Sequence, residues 1–157
     1  MPESPAKARS KILRQEAYRW SGVAVKEYKT DGGHFLGVIR QTLIGEGEDE
    51  GAPGFMTRYF EVEPGGYTSL ERHEHPHVVI VVRGRAEVIL DQRLERVESL
   101  DCVYIGPDCL HQFHSVGDEP LGFLCIVDRR RDRPKLADSN DVEWLRRDSE
   151  VAARIKT

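Results

Sequence analysis

The chain has 157 residues, of which 39% are hydrophobic, so it can bury the core of one domain. Its formal charge of −4, from 23 basic and 27 acidic residues, gives no electrostatic reason to expect nucleic acid or an anionic membrane as a partner. Three cysteines without a Cys-x-x-Cys pair argue against a disulfide framework and a thiolate zinc site, so we expect free thiols at Cys102, Cys109 and Cys125.

The N-terminal segment predicts a short helix over residues 4–20. Ser4 and Pro5 suit its cap and first turn, and an apolar stripe follows at Ile12, Leu13, Ala17 and Trp20. This segment lacks the apolar centre of a signal peptide, and no apolar run approaches the ~20 residues that span a bilayer. We therefore expect a cytoplasmic protein without a membrane partner.

Short apolar segments bounded by turn residues predict a series of strands. Glycines and charges mark residues 45–54 as a loop, and Glu63 to Gly66 has the chemistry of a turn. The predicted strands are His34 to Leu43, Phe55 to Val62, a hairpin of Arg85 to Leu90 with Leu94 to Val97, Cys102 to Ile105, and Leu121 to Val127. This spacing predicts an all-β protein with an antiparallel barrel or double sheet.

The C-terminal part predicts a charged surface linker over residues 128–138 and then a helix. Ser139 or Asn140 can cap this helix, which packs on the barrel or a partner subunit through Val142, Leu145, Ala152 and Ile155. We predict a single domain over residues 1–157, with an N-terminal arm at 1–33, a barrel core at about 34–127, and the linker and helix at 128–157.

Residues 65–84, GGYTSLERHEHPHVVIVVRG, contain three of the six histidines. Residues two apart in a strand share a face, so Glu71, His73 and His77 point the same way. Burying one carboxylate and two imidazoles inside a barrel is costly unless they are compensated, and a divalent cation is the usual compensation. A fourth ligand must come from elsewhere, and His111 is the candidate.

The spacing of this stretch resembles the first motif of the cupin superfamily, G-x5-H-x-H-x3-E-x6-G. Glu71 stands where the motif has its first histidine, and His77 stands where it has its glutamate. The second motif, G-x5-P-x-G-x2-H-x3-N, falls on residues 100–115, where His111 keeps the ligand position. The remaining motif positions are substituted: Leu100 and Asp108 replace the two glycines, Gly106 the proline and Ser115 the asparagine.

The resemblance covers roughly residues 55–127 and is to small single-domain cupins of the conserved-barrel (cupin-2) type. It implies a cupin-like double-stranded β-helix, that is, a jelly-roll barrel, with short N- and C-terminal helices. It also implies a homodimer, and open barrel edges favour such pairing through the N-terminal segment or an edge strand.

Two positions in the first motif leave alternatives open. Glu71 can coordinate the ion, or it can orient a neighbouring imidazole by accepting its N–H. A rival register pairs His73 with His75, but it puts Val79 or Ile80 where a carboxylate is needed. We therefore predict His75 at the rim, with a role as an alternative ligand still open.

Five further residues are candidates for positions around the site. His114 follows His111 by three positions, which predicts the opposite face of the strand and a surface or rim location. Four further side chains are candidates for lining the substrate pocket: Tyr59, Cys109, Phe123 and Cys125. The sequence identifies no catalytic residue.

Three imidazoles and one carboxylate predict one divalent transition metal per chain, with Fe or Mn favoured and Zn, Ni or Cu compatible. Four protein ligands on an octahedral ion leave two positions for water, dioxygen or a bidentate substrate. One hypothesis is therefore a metal-dependent oxidoreductase, dioxygenase-like, acting on a small organic substrate. The alternatives are a non-catalytic metal-containing module that binds a small effector, and a metal-dependent isomerase or lyase.

Overall fold

A computed structural model of the chain describes residues 8–29 and 33–157, in which β-strands predominate. Three short strands come first, namely β1 (Gln15–Glu16), β2 (Arg19–Trp20) and β3 (Lys26–Glu27). The barrel strands that follow are β4 (Leu36–Ile44), β5 (Phe55–Tyr67), β6 (Glu71–Arg72), β7 (His77–Arg83), β8 (Arg85–Leu90), β9 (Arg93–Glu98), β10 (Cys102–Ile105), β11 (His111–Val116) and β12 (Leu121–Asp128). Strand β13 (Lys135–Leu136) and helices α1 (Ser139–Leu145) and α2 (Ser149–Arg154) complete the order.

The strands from β3 onward form one antiparallel sheet that curls into a half-barrel, which confirms the predicted all-β fold. Strand β5 is its centre, because it pairs with β4, β11 and β12. The sheet continues from β12 through β7 to the edge strand β10. In the other direction β11 also pairs with β8 and β6, and β8 pairs with β9 as the predicted hairpin.

The predicted N-terminal helix is wrong within the described part of that segment. Residues 4–7 lie outside the described residues, and residues 8–14 contain no helix before the β1–β2 hairpin begins. Its two turn residues, Ala17 and Tyr18, have φ values of 48° and 60°. Trp20 packs on Tyr59 with ring centroids 4.9 Å apart, whereas Ile12 is 76% exposed, so these residues do not form one apolar stripe.

The predicted turn at Glu63 to Gly66 lies instead inside strand β5. The pairing with β4 shifts there, so Val62 is opposite Val38 and Tyr67 is opposite Leu36. Gly65 has a φ of 80°, and a Cβ on Gly66 would lie 2.4 Å from the carbonyl oxygen of Leu36. The glycines therefore form a bulge within a continuous strand, which turn chemistry alone does not distinguish from a loop.

The second motif keeps the backbone geometry of its lost glycines. Leu100 has a φ of 76° and Asp108 a φ of 60°, a region in which glycine is favoured. The Asp108 amide donates to the carbonyl oxygen of His73 at 2.8 Å, so this turn fastens the second motif to the first.

The C-terminal segment is helical as predicted, but it forms two short helices rather than one. Asp138 caps α1 by accepting from the Asp141 amide at 2.9 Å, and Asp148 caps α2. Leu145 and Val151 are fully buried in a second apolar cluster with Leu70, Ile89 and Leu110. Burying each of these two side chains stabilises the fold by about 1.5–3 kcal/mol, which holds the helices against the barrel. No helix within the described residues is long and apolar enough to cross a membrane.

Candidate metal centre

The inner face of the barrel opens into a cavity of about 200 Å³ that combines imidazoles, guanidiniums and aromatic rings. Pockets for drug-sized ligands measure ~300–1,000 Å³, so this cavity suits a small molecule. Phe60, Phe113 and Phe123 form one wall, with ring centroids 5.0–5.4 Å apart in the two contacts that Phe123 makes. This wall gives the cavity an apolar side opposite its polar groups.

Three histidines from different parts of the sheet meet in this cavity. His73 follows β6, His77 begins β7 and His111 begins β11. The ligand atoms that these residues offer lie within 4.8 Å of one another, and the ring centroids are 4.8 to 5.1 Å apart. These distances allow three imidazole nitrogens to converge on one ion, so the structure brings together three of the four predicted ligands.

Each of the three imidazoles has its Nδ1 occupied by a neighbour. His73 Nδ1 contacts the carbonyl oxygen of His75 at 2.7 Å, and His111 Nδ1 contacts that of Cys109 at 2.8 Å. His77 Nδ1 lies 3.2 Å from the thiol sulfur of Cys125. This leaves Nε2 of each ring for a ligand, and His77 Nε2 is buried without a hydrogen-bond partner in the described part of the chain. Buried polar atoms are normally paired, so this orphan nitrogen fits a metal ligand.

The surroundings also hold the three imidazoles in the neutral form that coordination requires. Burial, reinforced by the neighbouring histidines, lowers the pKa of His73 to about 4 and that of His77 to about 2. Burial also lowers the pKa of His111, although the Glu71 carboxylate acts in the opposite direction. At neutral pH the cluster therefore has no positive charge of its own that would repel a cation.

Glu71 lines the same cavity but lies outside this group of converging ligand atoms. It is paired directly across from His111 in the β6–β11 register. Its carboxylate accepts hydrogen bonds from the Lys29 ammonium and, at 2.9 Å, from the Ser69 hydroxyl. The side chain is thus fixed beside the histidines by an ion pair, which sequence spacing did not reveal.

His75 is held away from the cluster by the segment predicted as a surface linker. Its ring stacks on His73 with centroids 3.8 Å apart, and its Nδ1 lies 2.6 Å from Oδ1 of Asp132. Asp132 also accepts from the backbone amides of Glu74 and His75, and these contacts, led by the Glu74 amide, lower the pKa of its carboxyl. Asp132 therefore fixes the turn between His73 and His77.

Two of the four predicted pocket residues line the cavity, namely Phe123 and Cys125. Tyr59 does not, because it alternates with the inward-facing Arg58 and Phe60 and is covered on the outer face by the N-terminal arm. Cys109 does not either. It lies in the loop before β11, next to the positive φ of Asp108, so its parity with His111 does not give it the same direction.

The predicted surface or rim location of His114 is wrong. Its ring is 3% exposed, and its Nε2 lies 2.9 Å from the side-chain oxygen of Gln112. It does occupy the opposite face from His111, but Gln112 bonds to the backbone of Lys156, so the end of the chain covers that face. Burial, with the nearby charges of Arg154 and Lys156, lowers the pKa of His114 to about 4.

Sequence reasoning also missed several polar residues of the cavity. Arg58 carries a usable signal, because it shares the parity of Phe60 and Val62, whose apolar character marks the inner face of β5. Arg40 follows from the same face through the pairing of β4 with β5. Lys29 and Arg131 come from segments without a motif, and nothing local indicates that they face the site.

The chain belongs to the cupin superfamily, since residues 58–127 match the Cupin_2 cupin domain family and relatives match over most of its length. A crystal structure of a cupin 2 domain-containing protein from Halorhodospira halophila is 55% identical, with a TM-score of 0.75 over 92% of this chain and 94% of that one. A cupin 2 conserved barrel domain protein from Rhodopseudomonas palustris is 40% identical, with a TM-score of 0.85 over 94% and 100%.

A relative with a named activity comes from Rhodospirillum rubrum. It is 1-methylthio-D-xylulose 5-phosphate methylsulfurylase, and it is 42% identical over 140 residues, which are 88% of this chain and 87% of the relative. The alignment therefore includes the whole cavity and not the barrel framework alone.

Proposed function

We propose that this chain is a metal-dependent enzyme that acts on a ketose phosphate carrying a methylthio group at C1. The observation that carries the proposal is the cluster of His73, His77 and His111, whose free Nε2 atoms face a small cavity beside Glu71. The substrate class is the one in the name of the Rhodospirillum rubrum relative. The three histidines would hold one divalent ion, and manganese or iron fits this donor set.

The position of the methylthio group suggests the bond that breaks. In a 1-methylthio 2-ketose the C1–S bond is adjacent to the C2 carbonyl, and a bound divalent ion supplies Lewis acidity that polarises such a carbonyl. When a thiol attacks the methylthio sulfur, a sulfur–sulfur bond forms and the C1–S bond breaks. The electron pair of the broken bond moves to C1, which takes up a proton, so carbon is reduced and sulfur is oxidised to a mixed disulfide.

The Glu71–Lys29 pair is the group that we assign to proton transfer at C1. The ammonium of Lys29 and the hydroxyl of Ser69 both donate hydrogen bonds to the Glu71 carboxylate, so a proton donor and a proton acceptor lie side by side at this wall of the cavity. Glu71 is 7% exposed, which keeps its carboxylate away from bulk water. Its position opposite His111 in the β6–β11 register supports this assignment. Glu71→Gln is expected to lower kcat more than it changes KM.

The thiol acceptor must come from outside the chain, because none of the three cysteines suits the role. Cys102 is exposed on edge strand β10, away from the cavity. Burial raises the pKa of the Cys109 thiol to about 11, and burial also raises the pKa of the Cys125 thiol. The thiolate is the nucleophilic form, so raised pKa values make these thiols poor acceptors. We therefore propose a small soluble thiol as the co-substrate.

The test is an anaerobic incubation of manganese-loaded or iron-loaded protein with 1-methylthio-D-xylulose 5-phosphate and a thiol such as cysteine. Proton NMR is expected to show the methyl signal passing from the thioether to a mixed disulfide, with a new methyl signal at C1 of the 1-deoxy sugar phosphate. Metal-free protein and the His111→Ala variant are the controls, and both are expected to be inactive. No change with any divalent ion would refute the proposal.

The same experiment separates the proposal from the dioxygenase hypothesis. A dioxygenase requires oxygen, so turnover that continues without oxygen excludes that reaction for this substrate. If oxygen uptake accompanies turnover and the anaerobic reaction fails, the dioxygenase hypothesis is favoured instead. A binding module without catalysis would bind the sugar phosphate and leave its NMR spectrum unchanged under both conditions.

A further inference from the structure

Three arginines meet in the cavity beside the histidine cluster. Arg40 of β4 and Arg58 of β5 are on the same inner face, because Arg40 is opposite Phe60 and Arg58 is opposite Thr42 in the β4–β5 register. Arg131 reaches the cavity from the segment after β12. Three guanidiniums thus share one small cavity, although like charges at close range repel one another.

No carboxylate forms an ion pair with these guanidiniums within the described residues. None of the three arginines forms a salt bridge there, and the carboxylate of Glu46, on which the charge of Arg40 acts, lies 2.8 Å from Lys26 Nζ. The Nε atoms of Arg40 and Arg58 are buried without a hydrogen-bond partner in the described chain. Buried donors left unpaired in this way are rare and costly, so a ligand that accepts from them is expected.

The remaining contacts of the three arginines are weak. Arg58 donates to the thiol sulfur of Cys125 at 3.5 Å and lies over the Phe60 ring at 5.1 Å, whereas Arg131 contacts the thioether sulfur of Met56. Burial, followed by the charges of Arg58 and Arg40, lowers the pKa of Arg131, although Cys125 and Glu46 act in the opposite direction. An anion would relieve the repulsion and supply the missing acceptors together.

We propose that Arg40, Arg58 and Arg131 form a binding site for the phosphate monoester of the substrate. This assignment rests on the proposed function, because it places the phosphate and the reacting carbon of one substrate in one cavity. Guanidiniums match phosphate oxygens with paired N–H donors, and three of them balance a dianion better than one lysine would. A carboxylate, with one negative charge and two acceptor oxygens, would match the three guanidiniums less well.

The arginines also lie at the right position relative to the histidines. Arg58 contacts the Cys125 sulfur at 3.5 Å, and the same sulfur is 3.2 Å from His77 Nδ1. Arg58 and His77 are therefore separated by one side chain across the cavity wall. A five-carbon sugar phosphate bound by its phosphate at the arginines would extend its carbonyl end toward the histidines, with its apolar substituent against the phenylalanine wall.

The experiment is isothermal titration calorimetry of metal-free protein with inorganic phosphate and with D-xylulose 5-phosphate, with D-xylulose as the ligand that lacks phosphate. The wild type is expected to bind both phosphorylated probes and to show no measurable binding of D-xylulose. Arg58→Gln and Arg131→Gln are each expected to weaken phosphate binding about 10- to 100-fold, the range for a lost hydrogen bond to a charged group. A higher salt concentration is also expected to weaken phosphate binding.

Two controls make the result specific. Arg83 pairs with Glu61 and Glu119 on the other face of the sheet, so Arg83→Gln is expected to leave phosphate affinity unchanged. His111→Ala removes a histidine of the cluster and is also expected to retain phosphate binding. Circular dichroism and thermal melts establish that each variant is folded. If Arg58→Gln does not fold, the phosphate affinities of the single variants Arg131→Gln and Arg40→Gln test the assignment instead.

The outcomes separate this inference from the proposed reaction. If wild-type protein does not bind phosphate at millimolar concentration, or if the arginine variants bind it normally, the arginine assignment is wrong. If phosphate binding fails in the arginine variants but no methylthio substrate is turned over, the binding site stands and the proposed function does not. If turnover occurs and the arginine variants keep the wild-type KM, the function stands and the arginine assignment does not.

Discussion

Removing the metal should lower the melting temperature without unfolding the protein. The two apolar clusters that hold the barrel and its helices together do not include the three histidines, so the apo protein is expected to fold. An ion that binds only the native state at 100 times its Kd stabilises it by about 2.7 kcal/mol. For a domain of this size each kcal/mol shifts Tm by about 2–4 °C, so the expected rise on adding metal is about 5 to 11 °C.

The pH range of this effect follows from the lowered pKa values of the ligands. Free histidine has a pKa of about 6.5, whereas the pKa of His73 in the folded apo protein is about 4. Protons therefore compete with the ion only well below pH 6.5, and the metal-induced rise in Tm should persist at pH 6 and at pH 5. The apo protein itself should lose stability over this range, because unfolded histidines take up protons from pH 6.5 downward while the folded ones do not.

Differential scanning calorimetry measures both effects on protein dialysed free of metal, with and without added Mn(II), from pH 7.5 to pH 4. The metal-induced rise should grow with Mn(II) concentration at each pH above 5. A Tm that does not change when Mn(II), Fe(II) or Zn(II) is added would show that the histidines do not form a metal site. An apo protein that is unfolded at pH 7.5 would show that the ion is structural, and a rise that vanishes between pH 7 and pH 6 would contradict the lowered pKa values.

Three further predictions concern the ligand set, the second motif and the outer face of the sheet. His77→Ala should lower metal affinity by more than the ~10–100-fold that loss of a supporting residue costs, whereas the loss in His75→Ala should stay within that range. Equilibrium dialysis measures both affinities, and it would show the reverse order if the rival register were correct. Leu100→Gly should leave Tm unchanged or raise it by up to about 6 °C, because relieving a non-glycine residue at positive φ gains ~1–2 kcal/mol while the extra chain entropy of glycine costs ~0.5–1 kcal/mol. A lower Tm by calorimetry would contradict this. An apolar row crosses β10, β7 and β12 and consists of Tyr104, Val78 and Ile126, of which Tyr104 is 64% exposed. We therefore predict a homodimer through this row, which Tyr104→Glu weakens. Sedimentation that finds only monomer at micromolar concentration would refute this prediction.

The sequence by itself determined the features that depend on neighbours along the chain. The alternation of apolar residues set most of the strands, and the spacing of His73, His77 and His111 within two motifs marked the histidine cluster. These features were predictable because a strand has a fixed two-residue period, whatever it pairs with. The positive φ of Leu100 and Asp108 was not predicted, although the glycines of the family motif at these two positions carry a signal for that geometry.

Only the tertiary structure decided which distant residues complete the site. Asp132 reaches the His73–His77 turn, Lys29 neutralises Glu71, and Arg131 joins Arg58 across the cavity. His114 is buried because the end of the chain covers its face of β11. Each of these contacts joins segments about 40 or more residues apart, so it depends on how the sheet curls and what packs over it. A local pattern records which side of a strand a residue is on, but not what lies opposite that side in the folded chain.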